Sequence, residues 1–171
     1  MSFAPIDVHD LHGHPGASRT LEVVGTLEGL RGELAELPDA EPVHAGLLLE
    51  SVVEGILVSG EARGRWVLRC ARCLTTFDGA YEAPLSELVV LAPGGDDDEY
   101  TFDPAVGLDP EPIVRDAVGI QLPFSPLCSP GCLGLCETCG GDRNRGECPG
   151  HEHVDPRFAV LSELIIDPDE S

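Results

Sequence analysis

The spacing of seven cysteines constrains this 171-residue chain more than any other feature of its sequence. They fall as Cys70-x2-Cys73 and, after a gap of 54 residues, as Cys128-x3-Cys132-x3-Cys136-x2-Cys139-x8-Cys148. Two cysteines two or three residues apart form a knuckle that offers both thiolates to one tetrahedral ion at ~2.3 Å, and two knuckles fill its four positions. The pattern predicts one zinc site from Cys70, Cys73, Cys128 and Cys132. It predicts a second from Cys136, Cys139 and Cys148, completed by His151 or His153, because seven thiolates fall one short of two full sets. The rival arrangement binds one ion through Cys128, Cys132, Cys136 and Cys139 and leaves Cys70 and Cys73 as free thiols. Buried thiols without a metal are the remaining alternative, and an odd cysteine count cannot pair fully as disulfides within one chain.

Such ligand sets read as structural. Catalytic zinc keeps an open position, often beside histidine and carboxylate, whereas cysteine-saturated sets are closed. Cys70-x2-Cys73 sits between strand-like runs and lacks the βαβ surroundings of a redox motif. There is no P-loop, no dinucleotide-binding glycine fingerprint and no Ser-centred nucleophile elbow, so no enzyme and no small-molecule substrate are expected. The first sixteen residues carry Asp7, His9, Asp10, His12 and His14, which fits neither a secretory signal nor, near a terminus, a compelling metal site. No apolar run approaches the ~18 residues of a membrane-spanning helix. The expected location is cytoplasmic, where thiols stay reduced and available to metal.

The rest of the chain reads as α+β. Residues 1–42 are expected to be partly irregular, with at most one strand around Leu21 and Val23. Residues 43–123 form a β unit with a helix over 109–122. Its apolar runs contain Leu47, Leu49, Ile56, Val58, Val67, Val89 and Val90, and breaks are expected at Glu54-Gly55, Ser59-Gly60 and Asp78-Gly79. Together these describe an antiparallel meander. The helix takes Asp109 as its cap and Pro110 in its first turn. Residues 93–99 form an acidic, solvated loop. Residues 124–171 form a cysteine-rich, zinc-binding tail that ends in a second short helix, capped by Asp155 and striped by Phe158, Leu161, Leu164 and Ile165.

Charge is distributed unevenly. The chain has 31 acidic residues against 10 basic ones, for a net charge of −21, and every basic residue is arginine. That balance argues against a polybasic membrane anchor or a protein that coats nucleic acid indiscriminately. Yet Arg63, Arg65, Arg69 and Arg72 crowd into ten residues, and the stretch from Arg63 to Phe77 contains no acid. On a strand, the period of two places Arg63, Arg65, Val67 and Arg69 on one face and Trp66 and Leu68 on the other. A row of guanidinium groups beside a rigid knuckle suits the phosphates of a folded RNA. The plainer reading pairs these arginines with cross-strand acids such as Glu50, Glu54, Glu61 or Glu82.

These motifs together resemble a known family. Cys70-Ala-Arg-Cys73-Leu74 follows a β meander, a helix ends at Gln121-Leu-Pro123, and then come Pro126-Leu-Cys128, Gly134-Leu-Cys136-x2-Cys139-Gly140, Cys148 and Asp155-Pro-Arg157-Phe-Ala-Val-Leu161. In that order they resemble the bacterial YceD family of large-ribosomal-subunit RNA accumulation proteins, with less specific similarity at Pro15-Gly16. The resemblance implies a role in the synthesis, processing or stability of 23S ribosomal RNA. In relatives with the cysteine-rich tail the stretch after the Cys139-Gly140 position reads Asn-Leu-Asn and later Cys-x-Cys. This chain has Asp142-Arg143-Asn144 and places Gly150 where the last cysteine is expected, which is why His151 or His153 is needed as a ligand. The expected function is a non-catalytic accessory factor that binds 23S ribosomal RNA precursor or a large-subunit assembly intermediate through Arg63, Arg65, Arg69 and Arg72. The alternative is an acidic adaptor for a basic ribosomal or assembly protein, without RNA contact.

Overall fold

The computed structural model describes residues 2–92, 99–151 and 157. Six strands form one sheet: β1 (Ser18–Gly25), β2 (Ala35–Glu36), β3 (Val43–Ser51), β4 (Gly55–Arg69), β5 (Thr76–Leu91) and β6 (Tyr100–Phe102). The order is β1-β3-β4-β5-β6, and β2 pairs with the far end of β4 beyond the reach of β3. β3, β4 and β5 form the expected antiparallel meander. β6 departs from it by pairing in parallel with β5.

Alternation decides which side of the sheet is dry. Along β3 the residues Val43, Ala45, Leu47, Leu49 and Ser51 are buried, and along β4 so are Ile56, Val58, Ala62, Trp66 and Leu68. On β5 the inward positions are Tyr81, Ala83, Leu85 and Val89. The Trp66 and Tyr81 rings lie 4.4 Å apart between centroids. Tyr81 also covers Gly64, where a Cβ would come within 2.5 Å of the tyrosine oxygen.

Two expected breaks are not breaks. β4 runs straight through Ser59-Gly60 and β5 through Asp78-Gly79. Gly60 holds φ +151, and a Cβ there would lie 2.0 Å from the Gly46 carbonyl oxygen on β3. A Cβ on Gly79 would meet Leu68 Cδ1 at 2.8 Å. Both glycines make room for a neighbouring strand rather than for a turn. Glu54-Gly55 does lie at a turn, where the Val52 amide donates to the Gly55 carbonyl at 2.9 Å.

Residues 1–42 hold more structure than the expected single strand. They supply both β1 and β2, and Phe3, Ile6, Val8, Leu11 and Leu27 enter the main core. Ile6 exchanges two backbone hydrogen bonds with Leu108, at 2.8 and 2.9 Å, which ties the start of the chain to the approach of the helix. That helix, α1 (Glu111–Ile120), buries Ile113, Val114 and Val118. Asp109, expected as the cap, stands one residue before it: Pro110 occupies the cap position and Pro112 lies in the first turn, while Asp109 Oδ1 accepts from the Glu111 amide at 2.9 Å. Arg115 pairs with Glu111 one turn back at 2.9 Å and donates to the Glu28 carbonyl. α1 is the one helix among the described residues; the second expected helix lies outside them, as do residues 93–98 of the acidic loop.

Candidate metal centres

The sheet delivers the first pair of cysteines at a hairpin tip. The last β4–β5 pair is Arg69 with Thr76, and the chain between them turns through Cys70 to Thr75. The Cys70 amide donates to the Thr75 carbonyl and the Leu74 amide to the Cys70 carbonyl, both at 2.9 Å. Closing so tight a turn forces Leu74 to φ +59, a left-handed conformation that is unusual for a residue with a Cβ. The second pair comes from the segment after α1. It is held against the knuckle because the Ala71 amide donates to the Pro126 carbonyl at 2.8 Å and the Leu135 amide to the Arg72 carbonyl at 3.0 Å.

The result brings four sulfurs together across the chain. Cys70 and Cys132 Sγ lie 3.7 Å apart and Cys73 and Cys128 Sγ 3.6 Å apart, with all four within 4.8 Å of one another. A regular tetrahedron of four sulfurs around zinc, with ~2.3 Å bonds, has edges of ~3.8 Å. Disulfide sulfurs would approach to ~2.05 Å. The donor set therefore fits a tetrahedral cation. Cys70, Cys73 and Cys132 are buried, apart from the main core, beside Phe77 and Leu127, while Cys128 faces solvent.

A second knuckle repeats the first bond for bond. The Cys136 amide donates to the Gly141 carbonyl at 2.9 Å, the Gly140 amide donates to the Cys136 carbonyl at 2.8 Å, and Gly140, at φ +71, takes the place of Leu74. Cys136, Cys139, Cys148 and His151 bring their ligand atoms within 4.8 Å of one another. Of the two histidines proposed as fourth ligand, His151 is thus in the group, and His153 lies outside the described residues. The rival grouping of Cys128, Cys132, Cys136 and Cys139 is not the one assembled.

Each group sets its thiols against one another. Burial raises the Cys70 thiol, but amide donation from Cys128, Cys73 and Arg72 outweighs it and pulls the group down to about 6. Amides of Cys139 and Thr138 pull Cys136 to about 6 in the same way. Hydrogen bonding from Thr75 lowers Cys73. Cys128, hydrogen-bonded to Cys73 and partly desolvated, is pushed up to about 12. Cys148 is also raised: the Gly150 amide works to lower it, and the neighbouring Cys136 and Cys139 together with burial prevail. Sulfurs this close, four in the first group and three in the second, cannot all ionise without a cation between them.

Sequence reasoning missed Asn144. Its side-chain amide donates to Cys132 Sγ at 3.5 Å while its Oδ1 accepts from the Leu133 amide at 2.7 Å. The nearest signal was the Asp142-Arg143-Asn144 stretch, which showed only as a departure from an expected motif.

The four singled-out arginines have diverse surroundings. Arg63 and Arg65 point to solvent on the outer face, as the strand period predicts. Arg63 pairs with Glu61 and stands 3.9 Å from Glu82 on β5, and Arg65 pairs with Asp78 at 3.5 Å. Arg69 is exposed and has no ion pair among the described residues. Arg72 donates to the Cys132 carbonyl at 2.9 Å, so it also braces the first knuckle. A cleft of about 630 Å³ separates the two knuckles, lined by Arg72, Leu133, Cys136, Arg143, Cys148 and His151 among others. The early acids and histidines do not converge: Asp10 pairs with Arg19 at 3.2 Å and His12 lies edge-on to Phe102. No helix among the described residues is long and apolar enough to cross a membrane.

Fold and site define a class: an α+β protein in which a long β-hairpin carries one half of a four-cysteine centre and the tail supplies the other half, followed by a three-cysteine, one-histidine centre. Residues 58–165 match the family described as large ribosomal RNA subunit accumulation protein YceD, a span that takes in both cysteine groups. The chain belongs to this family, and with it to a ribosome-related role. It is 36% identical to an uncharacterized protein of Mycobacterium tuberculosis over 167 residues, covering 94% of this chain and 80% of the relative. An uncharacterized protein of Mycobacterium leprae is 35% identical over 168 residues, covering 93% and 76%. A chloroplastic YCED homolog of Arabidopsis thaliana, also described as a large ribosomal RNA subunit accumulation protein, is 30% identical over 70 residues, 40% of this chain and 22% of its own. No solved structure matches.

Proposed function

We propose that this protein is a non-catalytic, cytoplasmic accessory factor for 23S ribosomal RNA, binding its precursor or a large-subunit assembly intermediate, with zinc in both cysteine groups. The observation that carries the reading is the family match over residues 58–165, which spans the arginine-rich hairpin and both groups at once. Zinc suits sulfur-rich tetrahedral sets, and filling all four positions leaves none open for a reacting water, in keeping with an architectural role. Its part is to lock the tail to the hairpin tip. The nucleic-acid contact is assigned to Arg63, Arg65, Arg69 and Arg72. The ion pairs on Arg63 and Arg65 are solvent-exposed and screened, so phosphates can displace the acids at little cost.

The direct test is to purify the tagged protein gently from growing cells, with and without nuclease, and to identify what accompanies it. Precursor 23S fragments crosslinked within residues 63–73 are the expected result. A nuclease-resistant basic protein with no RNA crosslink would replace this reading with the adaptor, which the net charge of −21 favours.

A further inference from the structure

We propose that Asn144 is a positioning residue that couples the two metal groups, so that filling the second group tightens the first; this rests on the two-ion reading above. Asn144 belongs by sequence to the second group, midway along the segment between Cys139 and Cys148. By contact its side chain belongs to the first. A primary amide has two N–H donors and an acceptor oxygen, and every one is used. Nδ2 donates to Cys132 Sγ at 3.5 Å and to Asp142 Oδ1 at 2.8 Å, and Oδ1 accepts from the Leu133 amide at 2.7 Å. The amide therefore grips both the Cys132 sulfur and the residue that follows it.

The loop carrying Asn144 is itself closed by hydrogen bonds centred on Asp142. Asp142 Oδ1 accepts from the Asn144 amide at 2.8 Å, the Asp142 amide donates to Glu147 Oε2 at 3.1 Å, and the Glu147 amide donates to the Asp142 carbonyl at 3.0 Å. Its two ends are Cys139 and Cys148, both in the second group. An ion there fixes the ends, reduces the freedom of the loop between them, and presents the Asn144 amide to Cys132 already oriented. An N–H aimed at a metal-bound thiolate stabilises the charge that the sulfur retains, and partners of this kind commonly change metal affinity ~10–100-fold. Coupling of this kind is reciprocal, so an ion in the first group also favours filling of the second.

The experiment uses the full chain loaded with cadmium. A site of four sulfurs and a site of three sulfurs and one nitrogen give separate cadmium NMR resonances, so chelator-driven loss can be followed from each group individually. Asn144→Leu removes both donors and the acceptor oxygen while keeping a branched side chain on an exposed loop, and Cys148→Ser disables the second group. Each is expected to loosen cadmium in the first group ~10-fold, and the double variant to loosen it no further than the more severe single change. An unchanged near-ultraviolet circular dichroism signal from Trp66 and Tyr81 verifies that the sheet is intact. First-group retention unaffected by Asn144→Leu, or losses that add in the double variant, would overturn the coupling while leaving two ions in place. A single cadmium resonance from the unmodified chain would overturn the coupling together with the two-ion reading.

Discussion

Cys70 and Cys132 stand 62 residues apart in sequence and 3.7 Å apart at their sulfurs. Between them the chain completes β5, β6 and α1, so this contact closes a long loop whose other constraints come from the sheet. The cysteines form a small cluster with Phe77 and Leu127, and none belongs to the main core built around Leu47, Leu49, Val58 and Trp66. Docking of the tail and folding of the sheet should therefore be separable. Chelation is predicted to expose residues 124–151 to protease while the fragment bearing β1 to α1 stays resistant. Cleavage throughout the sheet at the same chelator concentration would contradict this.

His151 carries a narrower prediction. It is the fourth donor of the second group, standing beside Gly150 where relatives are expected to have cysteine. His151→Ala should lower the affinity of that group by at least ~10-fold; the first group should stay filled when metal is not limiting, though held more loosely, as the coupling through Asn144 requires. Retention of both ions under limiting chelator would reassign the fourth ligand.

Gly60 is predicted to tolerate no side chain. Alanine there would combine φ +151 with a 2.0 Å approach to the Gly46 oxygen, so Gly60→Ala should cost roughly 1–3 kcal/mol or more, read as a fall in thermal midpoint. Gly131→Ala, where a Cβ meets nothing within 4 Å, is the control and should change little.

Alkaline pH gives a signed test of the core. The chain's two tyrosines are both pushed up to about 12: Tyr81 by burial and then the charge of Glu41, Tyr100 by burial and then its 2.6 Å hydrogen bond to Asp116. A phenol whose folded value lies above its unfolded value of ~10 favours the folded state while protonated. That contribution is full below pH ~10 and is lost as pH rises through the folded value near 12. Stability should fall across that window, and phenolate absorbance should show both tyrosines titrating near 12 in native protein and near ~10 in denaturant. A tyrosine ionising near ~10 in the folded protein would refute the assignment.

The arginine face makes its own prediction. Arg65→Glu with Arg69→Glu should preserve the fold, since both side chains are exposed, and should abolish association with 23S precursor at matched salt. Association that survives would remove this face from the RNA contact.

What the sequence disclosed follows from which signals are local. Knuckle spacing is local, so the pairs Cys70/Cys73 and Cys128/Cys132 are legible in the chain, as is the outward run of Arg63, Arg65 and Arg69 on β4; that these two pairs meet, rather than Cys128/Cys132 with Cys136/Cys139, is a long-range contact that only the fold supplies. Gly60 and Gly79 misled because a glycine that opens a turn and one that admits a neighbour's backbone or Leu68 look identical in one dimension. Phe3, Ile6, Val8 and Leu11 show no strand or helix period, and only contact with the approach to α1 reveals them as core. Asn144 was illegible because its sulfur partner is 12 positions away and reached by a turn that Asp142 organises.

The most direct test of the account is the metal content of the intact chain, measured by native mass spectrometry on protein purified without added metal or chelator. Two zinc ions per chain, falling to one in Cys136→Ser, are predicted from the two four-donor groups. One ion or none in the unmodified chain would contradict it.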